Sequence, residues 1–509
     1  MSRRRASYDP AMLEASAHHQ LKALLRRQDV GDWPHHLTLC RLVGRSLRRG
    51  DRTLLRLAPG TDPSWLIGLL VPLALTTTPV ALVAEGSLRQ RLLQVEWPRL
   101  RAVGLDLPFW EGLEEPPASH LWLLDHQQLL QVWRRGTLSE RQLVIPEAER
   151  LEALLRQAMA VCLRPADWDR LRRARPAAEP TLLELHERLS RRVLSHPRHP
   201  NRLVALAPEE EAPLRQLLAL LSPLPEPWNH WLESGTADWT SWAEVDPALL
   251  HWRLHRQPLE PLSQLGGLLS ERGVVMVGEL PRSRDGSQAS SGGLAPSVPA
   301  GAGGAATPGF RADVVADLGA PPVLDPLPIY APSGQPLPNS PGYGDHLLDH
   351  CRRLVLGQAG LTLVLLDDPA LRLPLASGLA AEFGSRVGHE CSSPESNGVV
   401  CASWHWWLEH QERLPQPAQI VVALLPIASL EDPLTAARVE ALRRAGGDWF
   451  RNLLLPEAIN RLQRGIAVLR QRGGTRLAVL DGRLRGRSWG QTALAALEPW
   501  VPLKRLLPD

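Results

Sequence analysis

The sequence predicts an α/β protein of two parallel-sheet lobes, the first of which carries a helical insertion. Three observations lead there. In two separate regions of the 509-residue chain, short apolar runs of strand length alternate with helix-like segments, the arrangement of parallel sheets covered on both faces by helices. Between these regions lies SRDGSQASSGGLAPSVPAGAGGAATPG, a Gly, Ala, Ser and Pro stretch with too little apolar content to bury and therefore a linker. The first region is itself interrupted by Leu- and Arg-rich segments, LEALLRQAMAVCL and LLELHERLSRRVL, whose apolar residues recur at helical spacing.

Taken in order, residues 1–50 read as an N-terminal helical segment, because HHQLKALLRRQ and LTLCRLVGRSLRRG place apolar residues every three or four positions with basic residues between. Residues 51–150 hold the buried-strand runs TLLRL, PVALVAE, HLWLLDH and RQLVIPE, the first part of the first lobe. The helical insertion covers 151–265, and GVVMVGEL in 266–280 is a strand returning to the first lobe. Residues 281–322 form the linker, and 323–509 the second lobe, with strands at LTLVLLD, GVVCAS, QIVVALLP and TRLAVLDG.

Composition sets limits on function. With 44% hydrophobic and 22% charged residues the chain has an ordinary globular balance and length enough for two or three domains. Its longest apolar run, WLIGLLVPLAL, is broken by Pro72 and falls short of the roughly 18 residues of a spanning helix. The start has arginines without an apolar stretch behind them, so the expectation is a cytoplasmic protein that does not engage a membrane. Five scattered cysteines without a CxxC pair argue against zinc or an iron–sulfur cluster. The pairs His18–His19 and His35–His36 lack metal-ligand spacing, so no metal is expected. Net charge is +3, and the cations are almost all arginine, the only lysines being Lys22 and Lys504. Lys22 precedes Ala23 and Lys504 precedes Arg505, so GxxxxGK[ST] cannot occur.

One stretch nevertheless has the outline of a phosphate-binding loop: LAPGTDPSW, Leu57 to Trp65, between an apolar strand and an apolar helix. Its place in a longer series gives it meaning. LPIASLEDPLTAARVEALRRAGGDWFRNLLLPEAINRLQRGIAVLRQRGGTRLAVLDGRL contains an LPF-type turn, a DP dipeptide before a long helix, an LPEA helix start, a QGxGRxIR-like segment and a final strand ending LDxR. In these elements the chain resembles the DinG/XPD-type branch of superfamily 2 DNA helicases. The resemblance covers most of the chain and is strongest in the last third. It implies two RecA-like, P-loop NTPase-like lobes that hold ATP and magnesium in a cleft, with DNA as partner and repair or replication as setting. On it, Gly60, Thr61 and Ser64 match the nucleotide loop, RQLVIPEAERLE the strand ending in a DEAH box, GVVMVGEL the strand ending in SATL, and Gln463 to Arg470 the QGxGRxIR motif.

The residues depart from that pattern where the chemistry is done. A phosphate loop curls backbone N–H groups around an anion, meets the outer phosphates with lysine and holds magnesium with a hydroxyl. Here Asp62 stands for the last glycine and Pro63 for the lysine, leaving Ser64. One unit charge of repulsion from Asp62 at about 4 Å costs about 4 kcal/mol at an effective dielectric near 20. The DEAH position reads Pro146, Glu147, Ala148, Glu149, which keeps Glu147 alone and also suits the first turn of a helix. SATL has become Val277, Gly278, Glu279, Leu280, and Ala467 replaces the first arginine of the last motif while Arg470 keeps the second. Between Ser64 and Pro146 there is no cysteine, so the iron–sulfur cluster of some relatives is not expected.

Nucleic acid is the remaining partner. Arg483, Arg485 and Arg487 in DGRLRGRSWG are candidate phosphate contacts, as are the basic segments RRQDVGDWPHH and SLRRGDR. Trp33 and Trp489 are candidate stacking platforms, with core packing as the plain alternative for them and for Trp404, Trp406 and Trp407. Three readings follow: a helicase-like scaffold that binds single-stranded or forked DNA without normal ATP hydrolysis, an active helicase with an atypical nucleotide site in which Glu147 and Arg470 act, and a protein-interaction module carried by the insertion.

Overall fold

The apolar runs of the first region become strands whose alternate residues enter two different cores. The computed structural model describes residues 13–27, 33–195, 202–235, 238–246, 248, 251–280, 310–319, 325–471 and 473–503. In chain order the strands are β1 (Arg52–Leu57), β2 (Val80–Val83), β3 (Phe109–Glu111), β4 (Leu121–Leu124), β5 (Gln142–Pro146), β6 (Val161–Leu163), β7 (Leu203–Leu206), β8 (Trp239–Asp246) and β9 (His251–Pro258). There follow β10 (Val274–Gly278), β11 (Val314–Leu318), β12 (Leu327–Tyr330), β13 (Thr362–Leu365), β14 (Val387–His389), β15 (Val399–Ala402), β16 (Gln419–Val422), β17 (Arg476–Val479) and β18 (Trp500–Pro502).

The first seven-stranded sheet has the order β11-β1-β10-β5-β2-β4-β3, and its pairs are parallel. Successive side chains of a strand point to opposite faces. Leu55, Val277 and Val144 accordingly pack in one core with the helices Leu13–Arg27, His36–Arg49 and Trp65–Leu75, while Leu54, Met276 and Ile145 pack in another with Leu129, Leu151 and Leu268. Helix Trp65–Leu75 is apolar all round and buried from Trp65 to Ala74, as a core helix must be. The second sheet, β14-β15-β13-β16-β17-β12-β18, is also parallel. Its alternation is the same: Leu363, Val400, Ile420 and Leu477 face one core, and Val364, Cys401, Val421 and Ala478 the other.

By compactness the chain divides into two units, Met1–Leu185 with Leu206–Ser241 and Arg253–Pro321, and His186–Ala205 with Trp242–Trp252 and Pro322–Asp509. Three sequence expectations need correction. The linker assigned to 281–322 is too long: Phe310 is buried in the first unit's core, and β11 pairs with β1 from Thr53↔Val314 to Leu57↔Leu318. Its half-exposed edge position explains why no continuous apolar run betrayed it; residues 281–309 and 320–322 lie outside the described residues. The insertion at 151–265 is helical but also holds a four-stranded sheet, β6-β9-β8-β7. There β9 alternates intermediate and buried residues over HWRLHRQP, a strand period carried by Trp, Leu, Arg and Pro. Buried Arg256 of β9 is held by Glu211, Ser234 and Ser241. Finally, Glu147 and Glu149 do not open a helix: Glu147 is left-handed at φ +58, and the helix starts at Leu151.

Candidate nucleotide loop and nucleic-acid surfaces

β1 ends at Leu57, and the chain turns through Gly60, at φ +76, before the helix that begins at Trp65. In a nucleotide-binding loop the N–H groups of this turn would face an anion. Here they are hydrogen-bonded to the protein. The Gly60 N–H donates to Glu279 Oε1 at 2.8 Å, the Ser64 N–H to Asp62 Oδ1 at 2.8 Å, and the Thr61 N–H and hydroxyl to the Ala58 carbonyl at 3.1 and 2.6 Å. The Ser64 hydroxyl is buried, 3.3 Å from His36 Nε2. Pro63 offers no N–H at all.

The ends of the neighbouring central strands complete this arrangement. Glu279 follows β10, and its own N–H donates to Glu149 Oε2 at 3.0 Å. The Ala148 N–H donates to the Val277 carbonyl at 2.9 Å, and a Cβ at Gly278 would lie 2.6 Å from the Ala148 nitrogen, so glycine is required for this close approach. The Glu147 carboxylate accepts from Arg150 Nη1 at 3.1 Å. Arg150 also bears on Glu85, whose carboxyl is lowered chiefly by its hydrogen bond from His126, with a smaller contribution from Arg150. Sequence reasoning does not single out Glu279, Glu149 and Glu85 as acting residues. The available signal is position: acids directly after parallel strands sit at the crevice where α/β sheets bind ligands.

In the second unit, Arg470 lies in the short helix Ala467–Gln471 and donates to the carbonyls of Pro499, at 3.1 Å, and Leu497. Burial lowers its pKa. Arg483 forks onto Asp481, a fully buried carboxylate that also accepts the Leu425 N–H. Arg485 is exposed and donates Nε–H to the Ala331 carbonyl at 2.7 Å, and Arg487 is exposed. Trp489 is half-buried against the core, 5.4 Å from the Phe450 ring centroid. These four residues share one segment. Trp33 belongs to the first unit, half-buried and edge-on to His35 and His36 at 5.6 and 5.2 Å. Trp404 and Trp407 are core residues, their indole N–H groups donating to the Leu424 and Gly465 carbonyls, whereas Trp406 is half-buried and stacks on His410. Among the described residues no three His, Cys, Asp or Glu side chains gather as a metal-binding group, and no helix is long and apolar enough to cross a membrane.

No established family profile matches the chain. It is 28% identical over 176 residues to the ATP-dependent DNA helicase YoaA of Escherichia coli (strain K12), a match covering 32% of this chain and 28% of that protein. It is 27% identical over 104 residues to the 3'-5' exonuclease DinG of Bacillus subtilis (strain 168), covering 20% of this chain and 11% of that one. Among solved structures, an XPD helicase superposes with a TM-score of 0.61 at 12% identity over 93% of this chain and all of that one. The S. tokodaii Xpd4 structure gives 0.57 at 11% identity, over 90% and 97%. In sequence the chain is similar to YoaA and DinG, and in fold it is similar to XPD. Its sequence matches span less than a third of the curated relatives' length, while the fold likeness extends over both sheets. Within this DinG/XPD-type frame, the loop after β1 and the ends of β5 and β10 occupy the crevice side of the first sheet.

Proposed function

We propose that this DinG/XPD-type chain binds single-stranded or forked DNA and does so without normal ATP hydrolysis, as a helicase-like scaffold. The observation that carries the reading is the Glu279 carboxylate on the Gly60 N–H, 2.8 Å away, where a nucleotide loop would offer that donor to a phosphate. Asp62 takes the Ser64 N–H in the same way. The residues therefore do not fit a magnesium-bound polyphosphate: two carboxylates stand against the incoming anion, the lysine position is Pro63, and the Ser64 hydroxyl is buried beside His36. Arg470, the surviving arginine of the last motif, is engaged with backbone carbonyls.

DNA binding is supported by the helicase relatives and by exposed Arg485 and Arg487 beside half-buried Trp489, which offer phosphate contacts and a stacking ring on one segment. Purified protein is tested for Mg²⁺-dependent ATPase activity, with and without DNA, and for binding of single-stranded and forked oligonucleotides over a salt series. Salt-sensitive binding without turnover is expected. DNA-stimulated hydrolysis that falls in Glu147→Gln or Arg470→Ala would establish an active helicase instead, and binding of neither DNA form would overturn the DNA reading.

A further inference from the structure

The N-terminal helices Leu13–Arg27 and His36–Arg49 pack against each other and on helix Trp65–Leu75, placing their apolar faces in the core of the first unit. Glu14, near the start of the first helix, lies against Gly44 and pairs with Arg48 near the end of the second, so the two run antiparallel. Their outward faces are basic. On the first, His19, Lys22 and Arg26 are exposed at three- and four-residue intervals, and on the second Arg41 and Arg45 are four apart, spacings that put them on one helical face. The second helix contains no acid, and the neighbouring carboxylates pair with other arginines, Glu14 with Arg48 and Asp51 with Arg49, although Glu14 also bears electrostatically on Arg45. Among the described residues, Lys22, Arg26, Arg41 and Arg45 form no ion pair.

We propose that this two-helix face is a docking surface for the phosphate backbone of single-stranded DNA, distinct from the Arg485–Arg487 segment of the second unit. The inference rests on the DNA-binding reading and adds a surface to it. Four residues of helix rise about 6 Å, so each basic row presents cations in steps along a strand rather than as one cluster. Arginine suits phosphate oxygens, which its planar fork meets with two hydrogen bonds. A lipid surface is the less suited partner: an interfacial helix buries exposed apolar residues in the bilayer, and none of the chain's large exposed hydrophobics lies on these two helices. Net charge of only +3 makes such binding depend on this local face rather than on the whole surface.

The test uses the full chain with Lys22, Arg26, Arg41 and Arg45 all changed to Gln, and a fluorescent thymidine oligonucleotide titrated across a NaCl series. Each phosphate of a single strand that the protein ceases to neutralise lowers the slope of log K against log salt by about 0.7, so a fall of roughly 2 to 3 is expected. A charge-keeping variant, Lys22→Arg with Arg26→Lys, Arg41→Lys and Arg45→Lys, is expected to retain the wild-type slope, which ties the slope to charge at these positions, and an unchanged melting temperature of the Gln variant excludes misfolding as the cause. Arg485→Gln with Arg487→Gln serves as the separate probe of the other segment. If the wild type binds and the four-fold Gln variant keeps its slope, this inference fails while the DNA reading stands. If the wild type binds no oligonucleotide, both fail. Loss of sedimentation with phosphatidylserine vesicles in the Gln variant, with unchanged DNA slope, would make the face a membrane surface and overturn the proposal.

Discussion

At Gly60 a single hydrogen bond separates two uses of the same loop. A glycine N–H at the mouth of a parallel sheet will donate to whichever anion is nearest, and here the nearest is the Glu279 carboxylate. Glu279→Ala is expected to lower stability in urea by about 1 to 2 kcal/mol, the range for a charge-assisted hydrogen bond at a half-buried site. Arg470 gives a sharper discrimination. As a clamp on the Leu497 and Pro499 carbonyls, its replacement by Gln is expected to cost about 2 kcal/mol of stability; a variant of wild-type stability would show that the clamp contributes nothing. Gly278→Ala forces a methyl against the Ala148 backbone and the Glu149 carboxylate, and a loss of about 1 to 3 kcal/mol is expected. That Asp62, Pro63 and Glu279 occupy special positions was legible from the motif series; which N–H each carboxylate receives was not, because Glu279 and Gly60 are 219 residues apart.

Among the elements, legibility followed burial. β1, β2, β4, β5, β10, β13, β15, β16 and β17 are interior strands rich in buried apolar residues, so their runs stand out; β12, also interior, is LPIY with alternate residues only half-buried and offers no such run. β3, β11, β14 and β18 are edges, and an edge strand with one side in solvent carries no such run. β11 is held instead by polar chemistry: Arg52 donates to Asp313 from its backbone N–H and Nε, each at 3.0 Å, and from Nη2 at 2.7 Å. That hydrogen bonding holds the Asp313 carboxyl below its ordinary range, the main cause being the Arg52 side chain. A carboxyl lowered in the folded state contributes stability above its unfolded value and loses it as pH falls through the folded one. Hydrogen-exchange protection of residues 314–318, corrected for intrinsic rates, is therefore expected to hold at neutral pH and to fall below about pH 4; Asp313→Asn should show the reduced protection already at pH 7. Protection in that variant equal to wild type would remove the ion pair as the cause. The sheet in the insertion escaped detection for a related reason: β9 mixes His, Arg and Gln with its apolar residues, and the buried Arg256 is tolerated only because Glu211, Ser234 and Ser241 receive it.

For the whole molecule, two sheets of seven parallel strands persist while the groups expected to bind nucleotide are bonded within the protein. A ligand that binds only the folded state raises its stability by RT ln(1 + [L]/Kd), about 2.7 kcal/mol at a hundredfold excess over Kd. Millimolar Mg-ATP is accordingly expected to leave the melting temperature unchanged, whereas an oligonucleotide in low salt should raise it; a rise of several degrees with Mg-ATP would mean that the loop opens to nucleotide. The order of the apolar runs by itself determined the α/β class and the two sheet-centred halves, because period and burial are local properties of a strand, and the motif series of the last third carried the DinG/XPD-type resemblance. Which strand is an edge, what fills the loop after β1 and what Arg470 holds were decided only by tertiary structure. Those interactions join residues distant in sequence, and no local pattern encodes the partner that folding brings within hydrogen-bonding distance.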